Sequence, residues 1–318
     1  HTGRHKLDET QPSIGAWAHY GLGSLNEDLP RFVVLGGPTR TDTRESIDSY
    51  YLGPAHAGVP LKLDPKNPLA FGTRRGGQTA RQQANEFDLV AKLNRLTAGD
   101  RPEDARLAAR IKSYELAFRM QSAVPEAVAL SQETADTQQL YGIDQGPTKL
   151  AGQRLLAARR MVERGVRFVQ VFPSPYGTWD SHQKLQQNHA RMCKSVDKPI
   201  AGLLEDLQQR GLLEDTIVWW GAEFGRTPYA QDRGTGRDHN PDGFTVWLAG
   251  GGLKPAFAYG NTDEFGHVAV EKKMHMHDLH ATLLHLLGID HLRLTYRHSG
   301  RDFRLTDVHG HVIRDLLA

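Results

Sequence analysis

The fold turns on one stretch, Thr216-Ile217-Val218-Trp219-Trp220-Gly221-Ala222-Glu223-Phe224-Gly225-Arg226-Thr227-Pro228. Its first five residues are β-branched or aromatic with no polar alternation, the pattern of a strand covered on both faces, as in parallel sheets. The glycines that follow let backbone approach a ligand closely, and the same loop carries Glu223 and Arg226. In open α/β sheets ligands bind beyond the carboxyl ends of the strands. A charged loop placed directly after a buried strand is therefore a candidate site.

Working outward, the flanking elements alternate. Arg167-Phe168-Val169-Gln170-Val171-Phe172 reads as a strand. A helix is predicted from about 187 to 210, with Met192, Val196, Ile200, Leu203 and Leu207 on one face, a kink at Pro199 and Gly211 as its C-terminal stop. Phe244-Thr245-Val246-Trp247-Leu248-Ala249 reads as a further strand ending in Gly250-Gly251-Gly252, and Asp278 as the N-cap of a helix running to Leu287. Strand, helix, strand, strand, helix predicts an α/β sheet.

The amino-terminal third differs. Arg31-Phe32-Val33-Val34-Leu35 is a short buried strand, followed by turn-rich segments around Gly53-Pro54, Gly58-Val59-Pro60, Pro65-Lys66-Asn67-Pro68 and Arg74-Arg75-Gly76-Gly77. Residues 1–100 read as a loop-rich excursion lying over the sheet, and 101–318 as the helical and sheet core. Helices dominate from about residue 84. Asp100 and Glu103 have capping-box spacing, Leu107, Ile111, Tyr114 and Phe118 form an apolar stripe expected to pack in the core, and a helix over 149–164 stops at Gly165.

Composition narrows the class. The chain has 318 residues, 39% hydrophobic and 24% charged, which excludes disorder, collagen and coiled coil. With 39 Lys and Arg against 37 Asp and Glu the net charge is +2, which predicts no nucleic-acid partner. No run of apolar residues is long enough for a membrane span. The single cysteine, Cys193, excludes an internal disulfide framework and is expected to serve packing, since no activating context surrounds it.

Three loops carry metal-ligand chemistry. Thr178-Trp179-Asp180-Ser181-His182 puts a carboxylate and an imidazole two residues apart, a pair that zinc-like metals accept and that also describes an ordinary Asx turn. Glu223 offers an oxygen ligand and Arg226 a fork for an anion; together they also describe an ion pair holding a loop. Gly234-Thr235-Gly236-Arg237-Asp238-His239-Asn240-Pro241 adds Asp238 and His239 as ligands, with Arg237 beside them. The convergence of Asp180, His182, Glu223 and His239 at strand ends carries the expectation; no single motif does. Of the sixteen histidines, His275, His277, His280 and His285 read instead as helix capping and satisfied, partly buried side chains, and His267, His298, His309 and His311 are no stronger.

The ordered set Trp179-Asp180-Ser181-His182, Glu223 to Pro228, Gly236-Arg237-Asp238-His239-Asn240-Pro241, Ala249 to Gly252, Asp278-Leu279-His280-Ala281-Thr282 and Gly300-Arg301-Asp302 resembles a large bacterial sulfatase-like family of unknown function. That family is placed in the alkaline phosphatase superfamily. Gly15-Ala16-Trp17, Tyr20-Gly21-Leu22-Gly23 and Tyr114 to Gln121 match it too, so the resemblance covers essentially the whole chain. It implies an alkaline-phosphatase-like, mostly parallel sheet flanked by helices, and a divalent metal, zinc, calcium or manganese. Asp180, His182 and His239 would form one metal site, with Asp238 adjoining. Glu223 would replace the acid of a second site, where Glu223-Phe224 departs from the Asp-His of the superfamily.

The resemblance also implies export, often by a twin-arginine signal, and a periplasmic or other extracytoplasmic location. It further implies an earlier strand and a nucleophile region, so this chain is expected to be one domain, 1–318, lacking its first strand or strands. Gly36-Gly37-Pro38-Thr39-Arg40-Thr41-Asp42 copies the missing loop but stands too late among the other motifs for Thr39 or Thr41 to be assigned as nucleophile. The expected function is metal-dependent hydrolysis of sulfate or phosphate esters of small molecules or glycans, with Arg226 and Arg237 holding the anion. The alternatives are a non-catalytic exported binding protein that keeps the fold, and an inactive truncated fragment.

Overall fold

The computed structural model describes residues 2–3, 10–37, 46–69, 77–99, 105–231 and 234–318. In chain order the elements are α1 (Ile14–Leu22), β1 (Phe32–Leu35), β2 (Val59–Leu61), α2 (Ala80–Gly99), α3 (Ala105–Ala127), α4 (Ala135–Leu140), α5 (Lys149–Glu163), β3 (Phe168–Val171), α6 (Leu185–Gln209), β4 (Ile217–Trp220), β5 (Gly225–Arg226), β6 (His239–Asn240), β7 (Trp247–Gly250), β8 (Asn261–Thr262), β9 (Ala269–Glu271), α7 (Met276–Leu286), β10 (Tyr296–His298) and β11 (Arg301–Phe303). The fold class is mixed α/β. Among the described residues no helix is long and apolar enough to cross a membrane.

A parallel sheet of order β2-β1-β3 lies at the centre, with Val33 opposite both Val59 and Val169. Strand β1 is buried throughout, and its alternation sorts its contacts. Val33 and Leu35 join Met120, Val124, Ala157 and Met161 of α3 and α5 in one core cluster. Phe32 turns to the opposite face, where a Cβ on Gly15 of α1 would stand 2.5 Å from its ring. Glycine at 15 is what lets α1 lie this close.

Several expectations change here. Helix α1 was not foreseen: Ser13 Oγ accepts the Ala16 N–H as its N-cap, and Trp17 is fully buried, so the amino-terminal third contributes core as well as loops. Val59-Pro60-Leu61, read as a turn, is an edge strand. An edge tolerates proline because one side of its backbone bonds nothing. Strand β7 begins at Trp247 rather than Phe244 and pairs antiparallel with β4, Trp219 opposite Leu248. An apolar run encodes burial but not direction, so the parallel assignment of β4 and β7 fails, and the sheet is not mostly parallel throughout. Both strands are only partly covered.

The long helices follow the sequence closely. Helix α6 runs unbroken through Pro199 with Met192, Val196, Leu203 and Leu207 buried, and Gly211 at φ 66° donates to Gln208 O as its terminal cap. Gly165 at φ 84° ends α5 in the same way. Cys193, expected in the packing, is exposed on α6. On α3 Ile111 is buried and the buried face continues through Met120, Val124 and Ala127, whereas Tyr114 is exposed and Phe118 stacks on Phe87 of α2, so the stripe from 111 to 118 is only partly core. The Asp100–Glu103 box and the loop Pro38–Asp42 lie outside the described residues.

Helix α7 is capped by His275, not Asp278. The His275 imidazole accepts from His277 N, and Asp278 Oδ2 accepts from His275 N at 2.9 Å, a reciprocal capping box. The motif carries its acid three residues inside the helix, which is why Asp278 looked like the start. His280 is fully buried, and neither ring nitrogen has a hydrogen-bond partner among the described residues, so it is not the satisfied histidine expected.

Candidate metal centre

Three loops meet beyond the ends of β3 and β4. The first leaves β3 and is anchored by Trp179, whose Nε1 donates to Ser174 Oγ at 3.2 Å and whose ring meets Trp220 edge-on at 6.4 Å. Trp220 closes β4, so the aromatic pair ties the Asp180 loop to the start of the Glu223 loop. The third loop is zipped to the first through backbone: Arg237 N donates to Ser181 O at 3.0 Å and Leu185 N to Thr235 O at 3.2 Å. A Cβ at Gly236 would stand 2.0 Å from the His182 carbonyl carbon and 2.2 Å from Ser181 O, so only glycine permits this approach. The second and third loops pair as the β5–β6 ribbon, Arg226 opposite His239, with Thr227 N donating to Asp238 O at 3.0 Å.

These constraints bring Asp180, His182 and His239 together, each offering one ligand atom, all within 4.8 Å of one another. Asp180 Oδ1 lies 3.0 Å from His182 Nε2 and 3.3 Å from His239 Nε2. Ligands held tetrahedrally at zinc bond lengths stand roughly 3.3 Å apart, so the spacing and the one-oxygen, two-nitrogen donor set fit a zinc-like ion with an open position. The Phe224 ring packs on His239 with centroids 4.3 Å apart and sets its plane. His182 Nδ1 and Ser181 Oγ are buried without partners among the described residues, so that imidazole is oriented by its Nε2 contact with Asp180 and by packing against the His239 ring, with centroids 5.0 Å apart.

Arg226 also points into the group. Its Nη1 donates to Asp180 Oδ1 at 2.6 Å, and its guanidinium carbon lies 5.7 Å from the Phe224 ring centroid. Burial acts to raise the Asp180 pKa, but the hydrogen bonds from Arg226 and His239 outweigh it and hold the carboxyl below the usual range. The anion is thus the resting form of the ligand.

The other candidate residues sit apart from this group. Glu223 is exposed and outside the ligand cluster. Asp238 turns back on its own loop, its Oδ1 accepting the His239 N–H at 2.8 Å, which fixes the backbone that presents His239. Arg237 Nη1 donates to Gly236 O at 2.8 Å. The ion pair between Asp180 and Arg226 was not foreseen. It joins residues 46 positions apart, one in the loop after β3 and the other in β5.

The family described as Protein of unknown function (DUF1501) matches this chain over residues 1–317. No curated protein and no solved structure matches it.

Proposed function

From the premise that this chain belongs to the DUF1501 family of proteins of unknown function, we propose that it is a metal-dependent hydrolase of sulfate or phosphate esters. The observation that carries the reading is the convergence of Asp180, His182 and His239 on one point at the strand ends. On this reading the fold is a variant of the alkaline phosphatase architecture, the location is extracytoplasmic, and the substrate is an anionic ester of a small molecule or glycan.

Asp180, His182 and His239 would hold a divalent ion, with the two imidazoles favouring zinc over calcium, and manganese between them. The ion supplies Lewis-acid polarisation of an ester oxygen when bound. The protein's own groups do the rest. Asp180 is kept ionised and ready to ligate. Phe224 fixes the His239 ring. The guanidinium of Arg226, one side chain away, is placed to take the ester anion in a forked contact, while Arg237 is tied to its own loop through Gly236 O. Asp238 holds the loop, and Glu223 is exposed outside the ligand cluster.

A second reading, a binding protein that keeps the fold without catalysis, is favoured by the Asp180–Arg226 ion pair, which ties up the central ligand. Metal analysis separates the two. The full chain is expected to retain zinc after dialysis, and the Asp180→Ala, His239→Ala double variant to lose it. Equal metal content in both proteins defeats the hydrolase reading.

A further inference from the structure

Every donor in the centre converges on the same atom. Asp180 Oδ1 accepts from Arg226 Nη1 at 2.6 Å and lies 3.0 Å and 3.3 Å from the two histidine Nε2 atoms. Oδ1 is the Asp180 oxygen nearest both histidine Nε2 atoms at ligand spacing, so a dication taken up by Asp180, His182 and His239 through it stands close to the guanidinium and repels it. The two cations therefore compete for one site.

The backbone of Arg226 has no freedom to retreat. It is paired in the β5–β6 ribbon opposite His239, and Thr227 beside it is buried and bonded to Asp238. Only the side chain can turn, and it is long, mostly covered and already seated beside the Phe224 ring, a contact a guanidinium can keep when its bond to Asp180 is lost. Released from Asp180, it stays at the rim of the centre with its fork unpaired, the state in which it binds an oxyanion best.

We propose that Arg226 is the internal counter-ion of this site. It pairs with Asp180 until a divalent metal displaces it, and the displaced guanidinium then captures the anionic group of the substrate. The proposal rests on the metal reading above and adds to it a coupling: metal binding raises anion affinity, and by linkage the anion raises metal affinity by the same factor. Anion capture before metal loading is suppressed, because the arginine is engaged.

The test is binding of zinc alone, by competition with a chromogenic chelator, to the full chain and to its Arg226→Met and Arg226→Lys variants. Inorganic phosphate binding is then measured with and without zinc. Removing the competing cation is expected to tighten zinc binding about fivefold in Arg226→Met, the scale of a partly exposed ion pair. The zinc-dependent gain in phosphate affinity is expected to shrink in the same variant. Arg226→Lys is expected to tighten zinc binding by less, and it decides the sign should Arg226→Met fail to fold. Unchanged or weaker zinc binding in the variants, with zinc bound by the parent, overturns the counter-ion role and leaves the metal centre standing. No zinc binding to the parent chain overturns both.

Discussion

Arg159 of α5 and Asp206 of α6, both almost fully buried, meet through a 2.7 Å bond from Nε to Oδ2. Around this pair Tyr141 OH donates to the same oxygen at 2.9 Å, Arg210 Nε donates to Asp206 Oδ1 at 2.6 Å, and Arg159 also reaches Glu133 and Glu163. The network rivets the two longest helices of the carboxyl-terminal part behind the sheet. Removing one partner strands a buried charge, whereas removing a neutral donor does not. Asp206→Ala is expected to lower unfolding free energy by about 3 kcal/mol, and Tyr141→Phe by about 1 kcal/mol. Urea titration of both variants checks the ranking; the reverse order would show that the network is dispensable.

His19 predicts how the fold responds to acid. Burial first, then the charges of His56 and Arg31, push its pKa down to about 3. Burial drives His280 well below its ordinary value as well. The unfolded chain takes up these protons near pH 6.5 and the folded chain does not, so stability falls as pH drops below 6.5 toward the folded values. Each such histidine contributes about 1.4 kcal/mol per pH unit in that window. Glu133 and Asp180, held below the usual carboxylate range, contribute stability that is lost only at lower pH. Urea midpoints between pH 5 and 6.5 are expected to slope downward with acid, less steeply by one proton in His19→Gln. A flat profile in that range would contradict the buried neutral state.

Gly236 predicts how the centre is assembled. Any side chain there meets the Ser181 and His182 backbone at 2.2 Å or less, and backbone cannot yield as a flexible side chain would. Gly236→Ala is expected to part the two loops, cost about 2 kcal/mol and weaken zinc binding by at least about tenfold. Calorimetry and zinc competition on one preparation test this. Unaltered zinc affinity would mean that His182 and His239 find each other without the loop clamp.

His280 predicts a gain rather than a loss. Its ring is fully buried, lies edge-on to Trp219, and has both nitrogens without protein partners among the described residues. An apolar replacement of similar volume removes an uncompensated polar burial. His280→Leu is expected to stabilise the fold by about 1 kcal/mol, whereas His280→Ala opens a cavity and destabilises it. A substantial loss in the leucine variant would show that the ring nitrogens are engaged.

The sequence was most readable where periodicity and punctuation coincide. Met192, Val196, Leu203 and Leu207 mark the buried face of α6 at helical spacing, and Gly211 closes it. That Asp180, His182 and His239 come together was legible only from the convergence of three loops at strand ends, not from any one of the residues. What escaped depends on partners distant in the chain. The direction of β4 is set by β7, not by its own residues. Helix α1 is short and carries in its first turn a glycine, Gly15, that the distant Phe32 and Phe168 rings explain. Glu223 and Asp238 have ligand chemistry, but one faces solvent and the other bonds its own loop. Residue type alone does not distinguish those fates from ligation.

Strand β4 has a ladder with β7 on one side only, and the two form a ribbon of just two strands among the described residues. A ribbon of this kind presents backbone donors and acceptors along its outer edges, a template for pairing with another extended chain. Ile217, Val218 and Trp219 pack against the core clusters, whereas Trp247 at the start of β7 is exposed beside that template. The behaviour of the protein in concentrated solution then depends on how those edges are shielded.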